Sequence, residues 1–136
     1  MGICDVLKKT PYYIAVGRGY LPNDLMIKHN VFFDRIYSQQ GANPTVVDEF
    51  YDVILELASY AKKHLTLARQ IFEKEKSLNP ELIKHAHRAF LLAQECEHFL
   101  ELLELHNFNI FEPEFRQVSY VKTPYALYNA AKSGKF

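Results

Sequence analysis

The chain has no tryptophan, only two cysteines and no net charge, because sixteen basic residues balance sixteen acidic ones. A protein that binds nucleic acid normally carries a clear positive excess, so we expect no nucleic-acid partner. Two cysteines, Cys4 and Cys96, are too few for a disulfide-rich scaffold or for a zinc site made of thiolates. This low count favours a reducing compartment.

Long apolar runs are also missing. The longest candidate, residues 89–105, is interrupted by several glutamates, and it falls short of the roughly 20 apolar residues that cross a bilayer. Residues 3–7 are too short for the apolar region of a secretory signal, and they include Asp5. Residues 1–18 are slightly basic, which is compatible with a mitochondrial presequence and equally with an ordinary basic start.

What the chain does contain is apolar and aromatic: 49% of its residues are hydrophobic and 14% aromatic, enough for the core of a single domain over residues 1–136. Asn43 can cap a helix whose first position is Pro44, and the apolar spacing predicts that it runs to about residue 76. The same Asn-Pro pair opens a second helix, over about 80–106. Because the link is short, the two helices form an antiparallel hairpin in an all-α fold.

Apolar residues at helical spacing predict the buried face of each long helix. On the first they are Val47, Phe50, Ile54, Leu57, Ala61, Leu65, Ala68 and Phe72, and on the second Leu82, Ala86, Phe90, Ala93, Phe99 and Leu103.

Shorter pieces flank the hairpin. We expect a helix over 3–9 that stops before Pro11, a helix capped by Asn23 or Asp24 that ends near residue 29, and further helices over 31–39 and 124–132. Two loops are expected, one over 10–22 and one over 107–121, the second with aromatic anchors at Phe108, Phe111, Phe115 and Tyr120.

Few residues suggest catalysis. Glu95 and His98 have the Glu-x-x-His spacing of di-iron bundles, but the pattern occurs once, so a solvated helix face with ion pairs is the better interpretation. The basic run 84–88 is interpreted as an exposed turn of helix. Cys96 lies near the core face between two glutamates, which favours a buried thiol over a nucleophile. We expect no catalytic residue, metal or cofactor.

Three motifs resemble one family. They are Gly17-Arg18-Gly19-Tyr20-Leu21-Pro22, the His-x-x-x-Ala-Arg pattern from His64 to Arg69, and Phe108-Asn109-Ile110-Phe111. Their order and approximate spacing are similar to those in squalene and phytoene synthases. The resemblance implies part of an isoprenoid-synthase-type helical bundle, in which residues 1–136 correspond to the C-terminal half of the family domain.

The chain departs from that family at the positions that bind magnesium in the family. Counting back from the glycine motif, Lys9 and Tyr13 occupy the positions of the aspartates that hold magnesium in the family. An ammonium group and a phenol cannot supply the anionic oxygens that Mg²⁺ requires. Without them, ionisation of an allylic diphosphate has no electrophilic help. The resemblance therefore implies a pseudoenzyme.

The segment Thr10-Pro11-Tyr12, followed by Tyr20-Leu21-Pro22, resembles the non-catalytic branch of the family that acts in the biogenesis of mitochondrial NADH dehydrogenase, complex I. Thr123 to Tyr128 is similar to the ending of that branch. This resemblance implies an accessory subunit or assembly factor, located in mitochondria and peripheral to the inner membrane, that docks on protein subunits.

Half of a ring of helices would leave apolar residues without partners. We therefore expect an obligate partner: another subunit, a second copy of the chain, or a separately encoded N-terminal half. A compact monomer is the alternative. Two other functions remain open, a lipid or isoprenoid carrier with a closed apolar pocket and a prenyl synthase split over two chains.

Overall fold

The structure is a computed structural model that describes residues 2–33, 36, 44–79, 81, 92–112 and 115, without the side chains of 44–47 and 92. The described residues contain four helices of four or more residues: α1 Gly2–Ala15, α2 Asn23–Lys28, α3 Pro44–Leu78 and α4 Leu92–Leu105. No strand occurs among them, which confirms the predicted all-α class. None of these helices is both long and apolar enough to cross a membrane.

The longest element, α3, agrees with the prediction at its start and ends two residues later, at Leu78 instead of residue 76. Its predicted core positions at Phe50, Ile54, Leu57, Ala61 and Phe72 are buried. Val53 and Ala58 are buried as well, because the first half of the helix is covered on several sides. The predicted positions Leu65 and Ala68 are half-buried, and the side chain of Val47 lies outside the described residues.

The antiparallel hairpin is visible in two ion pairs. Lys62 on α3 pairs with Glu104 on α4, and Arg69, seven residues further along α3, pairs with Glu97, seven residues earlier in α4. Helix α4 ends at Leu105, as predicted to within one residue. Residues 80 and 82–91, with the predicted core positions Leu82, Ala86 and Phe90 and the basic run 84–88, lie outside the described residues.

The prediction for the first helix was wrong, because α1 continues through Pro11 to Ala15. One face of α1 buries Cys4, Leu7, Thr10 and Ile14, and the helix contacts both α3 and α4. Burial of a residue such as Leu7 contributes about 1.5–3 kcal/mol, so a continuous face can offset the hydrogen bond that Pro11 cannot donate. The residues predicted as a loop from 10 onwards are therefore helical as far as Ala15.

The short helix α2 follows the prediction in place, but its cap differs. Pro22 directly precedes it, and no side chain caps its first turn, so the expectation of Asn23 or Asp24 as cap was wrong. Phe33 and Ile36 are helical, whereas the rest of 34–39 lies outside the described residues. Phe108, Phe111 and Phe115 pack against the core as predicted. Tyr120 and the helix predicted over 124–132 lie outside the described part.

Candidate functional site

The C-terminus of α1 forms a Schellman motif at the first family motif. Gly17 has φ +72°, its N–H donates to the carbonyl of Ile14 at 3.1 Å, and the N–H of Arg18 donates to the carbonyl of Tyr13 at 2.8 Å. These two bonds satisfy carbonyls that the end of the helix leaves without a partner. Gly17 is therefore the residue at which α1 ends.

Gly19 is needed for space rather than for backbone freedom. A Cβ atom built on Gly19 would lie 2.2 Å from two atoms of the Phe33 ring. Two residues later, Leu21 is buried in the core, and the carbonyl of Pro22 accepts the N–H of Met26 at 3.1 Å. This motif therefore connects α1 to α2 through a tight packing contact.

An aromatic cluster lies at the same end of α1. The ring of Tyr13 is 4.3 Å from that of Tyr20 and 5.6 Å from that of Tyr12, measured between centroids. Tyr12 and Tyr20 are exposed, as are Lys9 and Arg18, while Tyr13 is half-buried. Lys9 and Tyr13, which the sequence analysis predicts at the family's aspartate positions, are thus an exposed amine side chain and a half-buried phenol within a tyrosine cluster.

Two neighbouring residues of this segment serve the helix itself. Thr10 is the one polar residue among the buried residues described, and its hydroxyl donates to the carbonyl of Val6 at 2.7 Å. Pro11 lies within α1 and is half-buried. Both fit a role in shaping the first helix.

The second family motif lies on α3, facing α4. Arg69 donates from both terminal nitrogens to the carboxylate of Glu97, each at 2.5 Å, in a two-pronged pair that joins the helices. These bonds lower the pKa of Glu97 and raise that of Arg69. His64, from the same motif, is exposed. The motif therefore supplies a helix-to-helix contact and a surface histidine.

The third motif is a turn after α4. Asn109 accepts the N–H of Phe111 at its Oδ1, at 3.1 Å, and donates from Nδ2 to Glu112 at 2.8 Å. The turn directs the ring of Phe111 to within 5.8 Å of Phe50 in the core. The three motifs thus lie at three different joints of the fold: the end of α1, the α3–α4 interface and the turn after α4.

A polar network that the sequence did not indicate joins α2 to α3. Glu56 accepts from Lys28 at both oxygens, at 2.7 Å, from His29 at 2.8 Å, and from Tyr60 at 3.3 Å. The bonds from Lys28 and then His29 lower the pKa of Glu56 to about 2. These partners are distant in the sequence, so no local pattern could have revealed them.

Carboxylates elsewhere in the described part of the chain also serve as pairing groups. Glu95, from the Glu-x-x-His pattern, pairs with Lys8 at 2.6 Å, and Glu104 pairs with Lys62. Within the described ranges, no three residues of the types that bind metals lie close enough to share an ion.

The outer surface of α3 carries an apolar stripe. We give this name to Tyr60, Leu67, Ile71 and Leu78, which follow one another at intervals of seven, four and seven residues and therefore lie on one side of the helix. Their exposed fractions are 46%, 51%, 54% and 62%. Beyond Ala61, Phe72 is the only buried side chain of α3. The second half of α3 thus presents apolar surface that nothing described covers.

A small cleft opens where α3 and α4 meet. Its apolar lining consists of Leu55, Ala58, Leu100 and Phe108, and the polar side chains of Lys62 and Glu104 also line it. Its volume is about 50 Å³. Pockets that hold drug-sized ligands measure about 300–1,000 Å³. This cleft is therefore too small to enclose a prenyl chain.

The described elements define an all-α protein built on the antiparallel helices α3 and α4, with the three motifs at its joints. The profile of the squalene/phytoene synthase family matches residues 1–124. The chain belongs to the squalene/phytoene synthase family, which confirms the resemblance of its motifs.

Curated relatives carry one name. The chain is 34% identical over 113 residues to the "NADH dehydrogenase (ubiquinone) complex I, assembly factor 6 homolog" of Dictyostelium discoideum, a match that covers 82% of this chain and 28% of the relative. It is 29% identical over 127 residues to assembly factor 6 of Mus musculus, with 93% and 34% covered. It is 30% identical over 116 residues to assembly factor 6 of Homo sapiens, a match that covers 85% of this chain and 31% of the relative.

The chain spans about a third of the length of these relatives. No solved structure matches it significantly. The matches therefore concern one segment of the relatives.

Proposed function

We propose that the chain is a non-catalytic accessory subunit or assembly factor of mitochondrial NADH dehydrogenase, complex I. The observation that carries the proposal is the name shared by the curated relatives, whose matches cover 82–93% of the chain. In this proposal residues 1–136 act as one unit that corresponds to the C-terminal half of the family domain. The protein acts in mitochondria, peripheral to the inner membrane.

The chemistry of the first helix supports a non-enzymatic role. Lys9 and Tyr13, at the positions of the family's metal-binding aspartates, offer a cation and a phenol on the surface of α1. Neither group binds Mg²⁺ well, and Mg²⁺ is what assists the departure of a diphosphate. The family motifs instead make contacts that hold the fold together, such as the Schellman turn at Gly17 and the pair between Arg69 and Glu97.

The apolar stripe on α3 is the surface that we assign to docking. Its four exposed side chains follow a heptad-like spacing along one side of the helix, which is how an amphipathic helix of a partner is received. The partner is a protein subunit or another assembly protein of the complex. Exposed apolar side chains in such a row, on a chain without net charge, favour association through apolar contact.

The test is gentle affinity purification of the tagged chain from its native source, with co-eluting proteins identified by mass spectrometry. We compare the wild type with Leu67→Glu/Ile71→Glu, which places two charges in the stripe. The matched control is Thr66→Glu/Gln70→Glu, which adds the same two charges at neighbouring exposed positions of α3. Circular dichroism and thermal unfolding establish that all three proteins fold equally well.

The proposal predicts complex I subunits or assembly proteins at stoichiometric levels with the wild type and the control, and their loss with the stripe variant. Recovery of the chain as a homodimer or as a monomer with a bound isoprenoid, without respiratory subunits, would overturn it. The second of these outcomes would support the lipid carrier. Retention of the subunits by the stripe variant would place docking on another surface.

A further inference from the structure

The two cysteines meet at the interface of α1 and α4. Cys4 and Cys96 are both free thiols in the buried core, with exposed fractions of 2% and 8%. The two cysteines belong to the same core cluster, and the thiol of Cys96 is one of the groups that act directly on the thiol of Cys4. This contact joins residues from the two ends of the described chain, and neither the fold motifs nor the proposed function uses it.

Other contacts hold the two helices in place around the thiols. Lys8, one turn after Cys4, donates to Glu95, the residue before Cys96, at 2.6 Å. The ammonium group of Lys8 also lies 5.2 Å from the centre of the Phe99 ring, one turn further along α4. Several contacts therefore hold α1 against α4 beside the two thiols.

We propose that Cys4 and Cys96 form an intramolecular disulfide that links α1 to α4 when the chain meets a low-molecular-weight disulfide oxidant. The thiolate of Cys96 attacks one sulfur of the oxidant, forms a mixed disulfide and releases one thiolate. The sulfur of Cys4 then loses its proton to water or buffer and attacks the sulfur of Cys96, which releases the second thiolate. Two thiols are oxidised, the oxidant disulfide is reduced, and the two protons end on the released thiols.

Burial makes this bond slow to form. Burial, and then the neighbouring Cys96, raises the pKa of Cys4 to about 12, so its sulfur carries a proton at neutral pH. A thiol reacts through its thiolate and needs contact with the oxidant, so the reaction waits for a local opening of the interface and accelerates as pH rises. The bond, once made, closes a long loop between residues 4 and 96, which is the arrangement that restricts the unfolded chain most strongly.

The experiment equilibrates the purified full chain in defined ratios of reduced and oxidised glutathione, once in native buffer and once in urea. Free thiols are then blocked by alkylation in denaturant, and peptides are mapped by mass spectrometry. We expect both thiols to disappear together in a monomeric product with a peptide linked between Cys4 and Cys96. The equilibrium should favour the disulfide roughly a hundredfold more in native buffer than in urea, and the oxidised protein should melt roughly 10 °C higher than the reduced one.

Three results would overturn the inference: disulfide-linked dimers, a glutathione adduct on one cysteine without the internal link, or equal equilibria in native buffer and in urea. Cys4→Ala and Cys96→Ala serve as controls, because each must yield only a mixed disulfide on its remaining cysteine. The decisive comparison uses the wild type alone, so it stands even if a variant folds poorly. Failure of this test leaves the proposed role in complex I untouched, because no step of that proposal involves these thiols.

Discussion

Among the described glycines, Gly19 is the one at which an added methyl group would meet other atoms most closely. Its Cβ would meet the Phe33 ring at 2.2 Å, whereas at Gly2 the same atom would meet nothing within 4 Å. We expect Gly19→Ala to lower the free energy of unfolding by about 1–3 kcal/mol, the usual cost of overpacking, and Gly2→Ala to change it little. Urea denaturation followed by circular dichroism measures both.

A second variant tests whether the clash with the Phe33 ring is the cause of the lost stability. Phe33→Leu in the Gly19→Ala background removes the far end of the ring, so it should restore part of the lost stability. If the double variant is no more stable than Gly19→Ala, the close approach of the ring is not the reason for the glycine. Gly17→Ala should cost about 1–2 kcal/mol through its positive φ alone, since nothing lies near its Cβ.

Glu56 makes the free energy of unfolding depend on pH in the acid range. Its pKa in the folded chain is about 2 against an ordinary 4.5, so its contribution is fully present above about pH 4.5 and is lost as pH falls towards 2. Glu56→Gln should therefore lower the urea midpoint at pH 7, and this difference should shrink between pH 4.5 and pH 3. Glu73→Gln, at an exposed position of the same helix, is the control. A difference that is constant with pH would contradict the role of the charge.

At the scale of elements, α1 lacks one backbone hydrogen bond, and a substitution can restore it. Pro11 cannot donate to the carbonyl of Leu7, yet the helix continues through it. Pro11→Ala supplies the missing N–H, so the free energy of unfolding should rise by about 1–2 kcal/mol after allowance for the more flexible unfolded chain. Lys9→Ala, which changes an exposed residue of α1, controls for the general effect of alanine. A loss of stability in Pro11→Ala would show that packing of the proline ring outweighs the hydrogen bond.

The α3–α4 interface depends on the shape of Arg69 as well as on its charge. Arg69→Lys keeps the positive charge but cannot make two parallel bonds to Glu97, so we expect a loss of about 1 kcal/mol, reduced from the buried value because both groups are about a third exposed. Glu97→Gln should cost a similar amount. A double-mutant cycle by urea denaturation measures the coupling, and Lys62→Ala, at the more exposed pair, should cost less than about 0.5 kcal/mol.

For the whole molecule, local sequence patterns predicted the start and the buried face of α3 and the end of α4. The Asn-Pro pair and the spacing of Phe50, Ile54 and Leu57 predicted the start and the buried face of α3, because a helix next to a core must repeat its apolar residues at that period. The end of α4 followed from the same logic. Family motifs added the fold family, which periodicity alone does not specify.

The errors arose where long-range packing overrides a local signal. Proline normally ends a helix, but the buried face of α1 from Cys4 to Ile14 holds it together through Pro11. The contacts of Glu56 with α2, and of Cys4 with Cys96, join residues far apart in the chain, so no window of sequence contains both partners. The candidate surface on α3 also escaped prediction, because an exposed apolar residue has the same sequence signature as a buried one.

The uneven burial of α3 has a consequence for how its amide protons exchange with heavy water. From Phe50 to Ala61 the helix is packed on several sides, so those amides exchange mainly when the whole molecule unfolds. Beyond Ala61 the helix is held by Phe72 and one-sided contacts, so its amides exchange through fraying that leaves the core intact. One geometrically continuous helix thus behaves as two thermodynamic units, and a partner that covers its outer end would slow exchange there while leaving the first half unchanged.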